Sequence, residues 1–220
     1  AEPRSLRFLE VSGVLERALP EVSAALERRR HDSSELDPSR ILRFPTVERF
    51  TVVSDPSDGD PAAVKVASNL ERSERVVIAA LVHDVCGADR KAAGTLLARL
   101  VDPAEADLIV QLLDDGSLIE SAAGDPDSFE PQRLLQLAHH LGHDQRVYGA
   151  YLLVLAAGSL SEWRRKAVDE LLPQLLDLVR YEANKGTTVG PLVARRKEQA
   201  KAMLEEAPAR ERIDHASDAY

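Results

Sequence analysis

Glu74-Arg75-Val76-Val77-Ile78-Ala79-Ala80-Leu81-Val82-His83-Asp84-Val85 is the stretch whose reading decides the fold. Its middle, Val76 to Val82, is apolar at every position. Such a run suits a buried strand or a buried helix, and periodicity alone does not choose between them. The paired alanines and the helical patterns on either side choose helix, so 74–85 is expected to be a central buried helix.

Helical signals continue toward the C-terminus. Asp89–Leu100 is amphipathic. Asp102-Pro103-Ala104-Glu105 opens a further helix: Asp at the cap, Pro where a missing N–H costs nothing, Glu on the positive end of the dipole. That helix is expected to end near Gly116. Pro131–Leu141 is stopped by Gly142, and His143–Gly158 follows with the apolar segment Tyr151 to Ala157. Ser161 caps a long helix to about Tyr181, with Leu171, Leu172, Leu175, Leu176 and Val179 as its stripe. A break at Asn184–Gly190 precedes a basic helix from Leu192 to about Glu206 and a frayed tail.

Toward the N-terminus, Pro61–Leu70 reads as helix. His31–Gly59, rich in Asp, Ser and Pro, reads as loop with a short apolar piece at Phe50-Thr51-Val52-Val53. Ser5 to Arg30 is helical, broken at Gly13 and Pro20. No apolar/polar alternation persists and aromatics are only 4%, so the expected fold is all-α. It is a helical bundle in three stretches: N-terminal helices and loop over 1–60, a core over 61–183, and a C-terminal helix and tail over 184–220.

Composition narrows the function. The 28 basic against 37 acidic residues give a net charge of -9, which argues against non-specific nucleic-acid binding. A single cysteine, Cys86, rules out an internal disulfide framework and a Cys-based zinc site. No apolar run is long enough to span a membrane. Ala1-Glu2-Pro3-Arg4 does not begin a signal peptide, and the chain reads as an excised piece of cytoplasmic protein.

Chemistry-bearing residues are few. His83-Asp84 closes the most apolar helix, where both side chains are costly unless paired, hydrogen-bonded or metal-bound. Imidazole and carboxylate suit Mn, Fe or Zn, and such a metal activates water for phosphoester hydrolysis. The plainer reading is a helix-end pair bonded to nearby backbone. His139-His140-Leu141-Gly142-His143 holds two histidines at i,i+4, but Gly142 falls between them, so a surface cluster without metal is expected. Cys86 has no base beside it in sequence and reads as a small buried hydrophobe. Thr187-Thr188-Val189-Gly190 lacks a P-loop lysine. Arg164-Arg165-Lys166 and Arg195-Arg196-Lys197 read as solvated helix faces, the second, with Lys185 and Lys201, able to meet an acidic partner. Trp163 is expected to anchor the core.

The 73–85 helix resembles the signature helix of HD-domain metal-dependent phosphohydrolases, and more closely that of the bifunctional PII uridylyltransferase/uridylyl-removing enzymes. The resemblance extends to Leu6-Arg7-Phe8-Leu9 through Leu19-Pro20-Glu21, to Phe50-Thr51-Val52 as the family's tyrosine-threonine-valine approach, and to Ala106–Leu113. It also covers Arg146–Ala157, Trp163 and Glu170-Leu171, and so most of Leu6 to Tyr181. The resemblance implies an HD-like bundle and a metal centre built from a first histidine, the His-Asp pair and a distal aspartate. His83 and Asp84 keep the pair. The first metal histidine falls on Asp55, and the histidine ahead of the threonine-valine on Glu48. A later lysine falls near Gly87, and a loop histidine on Arg90 after a preserved Asp89. The histidine pair falls near Asp115 and Gly116, and the closing aspartate on Ala157.

Alanine offers no lone pair, and Arg90 places a fixed positive charge where a cation would sit. Two protein ligands seldom hold a catalytic transition metal. The expectation is therefore a catalytically inactive regulatory or interaction module, with no metal and no cofactor. Its implied partners are the other domains of a uridylyltransferase-like chain or a PII-type nitrogen-signalling protein. Two alternatives stand beside it. One is a hydrolase with a rebuilt carboxylate-rich site of His83, Asp84, Asp55 and Asp115 around Mn, Mg or Zn. The other is a helical module that senses a nucleotide or other small molecule in the old cleft.

Overall fold

The computed structural model describes residues 8–31, 43–158 and 160–184. Among them the structure is all helical, with no strand. A short helical turn over 8–11 leads to α1 (Val14–Ala18) and α2 (Pro20–Arg30). Then come α3 (Pro45–Val53), α4 (Pro61–Ser68), α5 (Ser73–Cys86), α6 (Arg90–Leu100) and α7 (Pro103–Ala123). A 3-10 turn (Pro126–Phe129) precedes α8 (Pro131–Leu141), α9 (Asp144–Ala157) and α10 (Glu162–Asn184). Residues 1–179 form one compact unit and residues 180–220 a second, of which only 180–184 are described. No helix among the described residues is long and apolar enough to cross a membrane. Asn184 is the last residue of α10, and the rest of the expected break to Gly190, the basic helix after it and the cluster Arg195-Arg196-Lys197 lie outside the described residues.

The most completely buried helix of the bundle is α9. Val147 to Ala156 are buried without interruption, and α9 packs against α3, α4, α5, α7 and α8. The 74–85 helix is central as well, packed against α2, α3, α6, α7 and α9: Val76, Ala79, Ala80, Val82 and Val85 are buried, while Val77 is 37% exposed. An all-apolar run reports the lack of charged residues, not complete burial of every position.

Gly116 does not end its helix. α7 runs on to Ala123 because Gly116 and Gly149 are where α7 and α9 touch. A β-carbon at Gly149 would lie 2.9 Å from Leu112 Cδ1, and one at Gly116 would lie 3.3 Å from Leu153 Cδ2. Leu112 thus meets Gly149 and Gly116 meets Leu153, so the helices run in the same direction through the contact. The intervening α8 makes that parallel pairing possible.

Two further expectations are corrected. The 45–53 segment is helix rather than loop. Trp163 is 55% exposed, with the Arg164 guanidinium 5.4 Å from its ring centroid, and is no core anchor. The inward stripe of α10 is instead Val168, Leu171, Leu175 and Val179.

Candidate functional site

The His83-Asp84 pair ends α5 against the start of α3. The Asp84 carboxylate accepts the Thr46 backbone N–H at 2.9 Å (Oδ2), the Thr46 hydroxyl at 2.6 Å (Oδ1) and the Val47 N–H at 3.4 Å. α3 has Phe44 at its cap position and no local side-chain cap, so Asp84 caps it from another helix. Thr46 is 1% exposed, which leaves its polar groups no water to fall back on.

The same hydroxyl fixes the imidazole. Thr46 Oγ1 lies 3.3 Å from His83 Nδ1. A hydroxyl has one proton, and here it goes to Asp84, so toward His83 the oxygen accepts. A neutral His83 therefore carries its proton on Nδ1 and presents a lone pair at Nε2.

Arginines brace the surroundings. Arg28 donates to the Val85 carbonyl at 2.9 Å and Arg29 to the Asp84 carbonyl at 2.7 Å, so the last turn of α2 covers orphan carbonyls at the end of α5. Arg49 of α3 donates to the Ala156 and Ala157 carbonyls, both at 2.6 Å, covering the end of α9. Gly158 stands there at φ 69°, and a β-carbon on it would come within 2.6 Å of Arg49 Nε. Only glycine fits both the conformation and the approaching guanidinium.

Beside His83 opens a cleft of about 160 Å³, lined among others by His83, Arg90, Gly116, Glu120 and Ala157. Four helices build it: the end of α5, the start of α6 and the facing turns of α7 and α9. Arg90 is steadied by Asp114 at 2.7 Å and Ser117 at 3.4 Å. The positions that the family resemblance assigned to His83, Arg90, Gly116 and Ala157 thus share one cavity.

The other singled-out residues go elsewhere. Asp115 is fully buried in a two-pronged pair with Arg146 at 2.7 and 2.8 Å, with His140 Nε2 at 3.5 Å. Asp55 follows α3 and accepts the Ser57 N–H at 2.8 Å in a local turn. Glu48 is exposed, 4.0 Å from Arg43. Among the described residues no three His, Cys, Asp or Glu side chains come together as a metal-binding group, so His83, Asp84, Asp55 and Asp115 do not share a centre. His139 is exposed, and His143 caps α9 by accepting the Gln145 N–H at 3.2 Å, with Gly142 ending α8 between them. Cys86 is half-buried, and burial pushes its thiol pKa up, away from a reactive thiolate.

Sequence reading missed Thr46 and Arg49. One signal was available: the dipeptide Thr46-Val47 repeats as Thr51-Val52, and Pro45 before it marks a helix start. The first copy, not the second, is the one that meets the His-Asp pair. Thr51 is exposed, and its hydroxyl donates to the Val47 carbonyl one turn back.

Comparison with known proteins gives a consistent set of relatives. Over 70% of its length, the chain is 26% identical to the bifunctional uridylyltransferase/uridylyl-removing enzyme of Thiobacillus denitrificans. The protein of the same description from Bordetella parapertussis is 26% identical over 69% of the chain, and that of Ralstonia nicotianae 24% over 91%. The chain spans only 19–25% of the length of these relatives. No protein-family model and no solved structure matches it. What the chain resembles, at low identity, is one region of the bifunctional uridylyltransferase/uridylyl-removing enzymes.

Proposed function

We propose that this all-α bundle is an HD-like domain whose hydrolytic centre has been dismantled, working as a regulatory or interaction module of a cytoplasmic, uridylyltransferase-like nitrogen-signalling protein. Its partners on this reading are the remaining domains of such a chain, or a PII-type protein. One observation carries it: the Asp84 carboxylate is engaged at both oxygens as the cap of α3, and the cleft beside it offers Arg90, Gly116 and Ala157 where metal ligands would stand. Moving the threonine-valine match to Thr46-Val47 strengthens the reading. The spacing that put the first metal histidine on Asp55 then puts it on Phe50, which is buried in the core and has no lone pair. Arg49 and Asp84 make direct ties between α3, α5 and α9, so holding these helices together needs no shared cation.

The test is metal content together with turnover of bis(p-nitrophenyl) phosphate with Mn, Mg, Co and Zn. We expect neither stoichiometric metal nor turnover. Stoichiometric metal, or turnover lost in Asp84→Asn, overturns the reading in favour of a working phosphohydrolase. Asparagine keeps a carbonyl oxygen for the Thr46 N–H, so that variant removes the charge without removing the cap.

A further inference from the structure

The N-terminal hairpin α1–α2 lies against the end of α5 and carries a poorly met charge into the bundle. Its apolar hold is small: Leu15, Val22, Ala25 and Leu26 are its buried residues. Neither helix has a side-chain cap, and at 5 and 11 residues both are too short to persist alone. Contact with the bundle, not local signals, therefore keeps them folded. Two polar latches are sound: Arg28 on the Val85 carbonyl and Arg29 on the Asp84 carbonyl, with the Arg29 guanidinium 5.7 Å from the Phe44 ring centroid. The third is defective. Arg99 of α6 donates to Glu21 Oε1 at 3.3 Å, while Glu21 Oε2 is buried and meets no donor among the described residues. A stranded carboxylate oxygen costs free energy only while the hairpin is docked, because undocking returns it to water.

We propose that α1–α2 is a detachable strap, opening as one unit, that controls the end of α5 bearing His83 and Asp84. Docked, its arginines cover the last carbonyls of α5, that of Asp84 included. Opening uncovers those carbonyls, frays the last turn of α5 and loosens the Asp84 carboxylate from Thr46 at the start of α3. The small apolar hold sets how often this happens, and the stranded oxygen of Glu21 biases it toward opening. The strap is a matter of packing and goes beyond the reading of the cleft, so metal content and turnover do not bear on it.

The test is residue-resolved hydrogen–deuterium exchange by NMR on the full chain, repeated at low concentrations of urea. The reporters are the amides of Leu19, bonded to the Leu15 carbonyl at 2.8 Å, of Ala25 and Leu26 in α2, and of Thr46, bonded to Asp84. Leu152, fully buried in α9, is the reference. The four reporters are expected to share one opening, at least about a hundredfold more frequent than that of Leu152 and less dependent on urea, since it exposes less surface than global unfolding. Glu21→Met removes the stranded oxygen at similar side-chain length and should slow all four about tenfold; Arg28→Ala combined with Arg29→Ala should speed them about tenfold. Circular dichroism verifies that each variant is folded. Reporters that match Leu152 in rate and urea dependence overturn the strap. A Thr46 amide as protected as Leu152 while α2 opens overturns its control of the His-Asp end. Exchange in Glu21→Met no slower than in the parent chain overturns the part given to Glu21.

Discussion

α3 and α7 both start with proline and are capped by an aspartate, yet they obtain that aspartate in opposite ways. At α7 the cap is the preceding residue: Asp102 accepts the Glu105 N–H at 3.0 Å, with Pro103 next in line. At α3 the preceding residue is Phe44, and the carboxylate comes from Asp84, 38 positions from Thr46. A local cap stabilises its helix in any context. A cap from another helix stabilises α3 only when α5 is already in place, so it acts as a tertiary contact and ties two helices into one unit. The residue that plays this part is half of the His-Asp pair to which the family resemblance assigns a metal role.

The largest effect separating the two starts should come from Asp84→Ala. It strands the N–H and hydroxyl of Thr46, which is 1% exposed, at a cost of about 3 kcal/mol or roughly 6–12 °C in Tm. Asp102→Ala removes an exposed local cap and should cost about 1 kcal/mol. Thermal unfolding of both variants measures the gap. Equal losses would break the distinction between local and tertiary capping.

The smallest effect concerns Asp60, which belongs to both classes. It caps α4 locally through the Ala62 and Ala63 N–H groups and also pairs with Arg165 of α10. Burial pushes its carboxyl up, but the two N–H groups and the Arg165 guanidinium together hold it below its ordinary 3.8. The sign follows: its contribution is fully present above the unfolded value and is lost as pH falls through the lower folded value. Asp60→Asn keeps the cap but not the titration. Denaturant unfolding should therefore show a slightly shallower loss of stability in acid for the variant, with no difference in slope near neutral pH. An identical acid limb would mean that Asp60 is not held down by these partners.

Most helices were legible in the sequence because their signals are local. Asp60-Pro61, Asp89-Arg90, Asp102-Pro103 and Leu141-Gly142 mark starts and a stop with groups that act within one turn. The readings that failed depend on distant residues. The start of α3 lacks its own cap. Gly116 looks like a terminator but is a close approach to Leu153. Trp163 looks like core but stands beside Arg164 at the surface. The same division holds at the site. His83-Asp84 stood out because polar residues at the end of an apolar helix demand partners. That the partner is Thr46, and that Asp115 turns to Arg146 instead, required knowing which helices meet.

By itself, the sequence determined an all-α chain with its helix ends largely in place, since capping and breaking act over a few residues of backbone. It also singled out the His-Asp pair. Only the tertiary structure decided what that pair does. A carboxylate takes whichever donors packing brings within about 3 Å, and packing of α3 against α5 brings the buried Thr46.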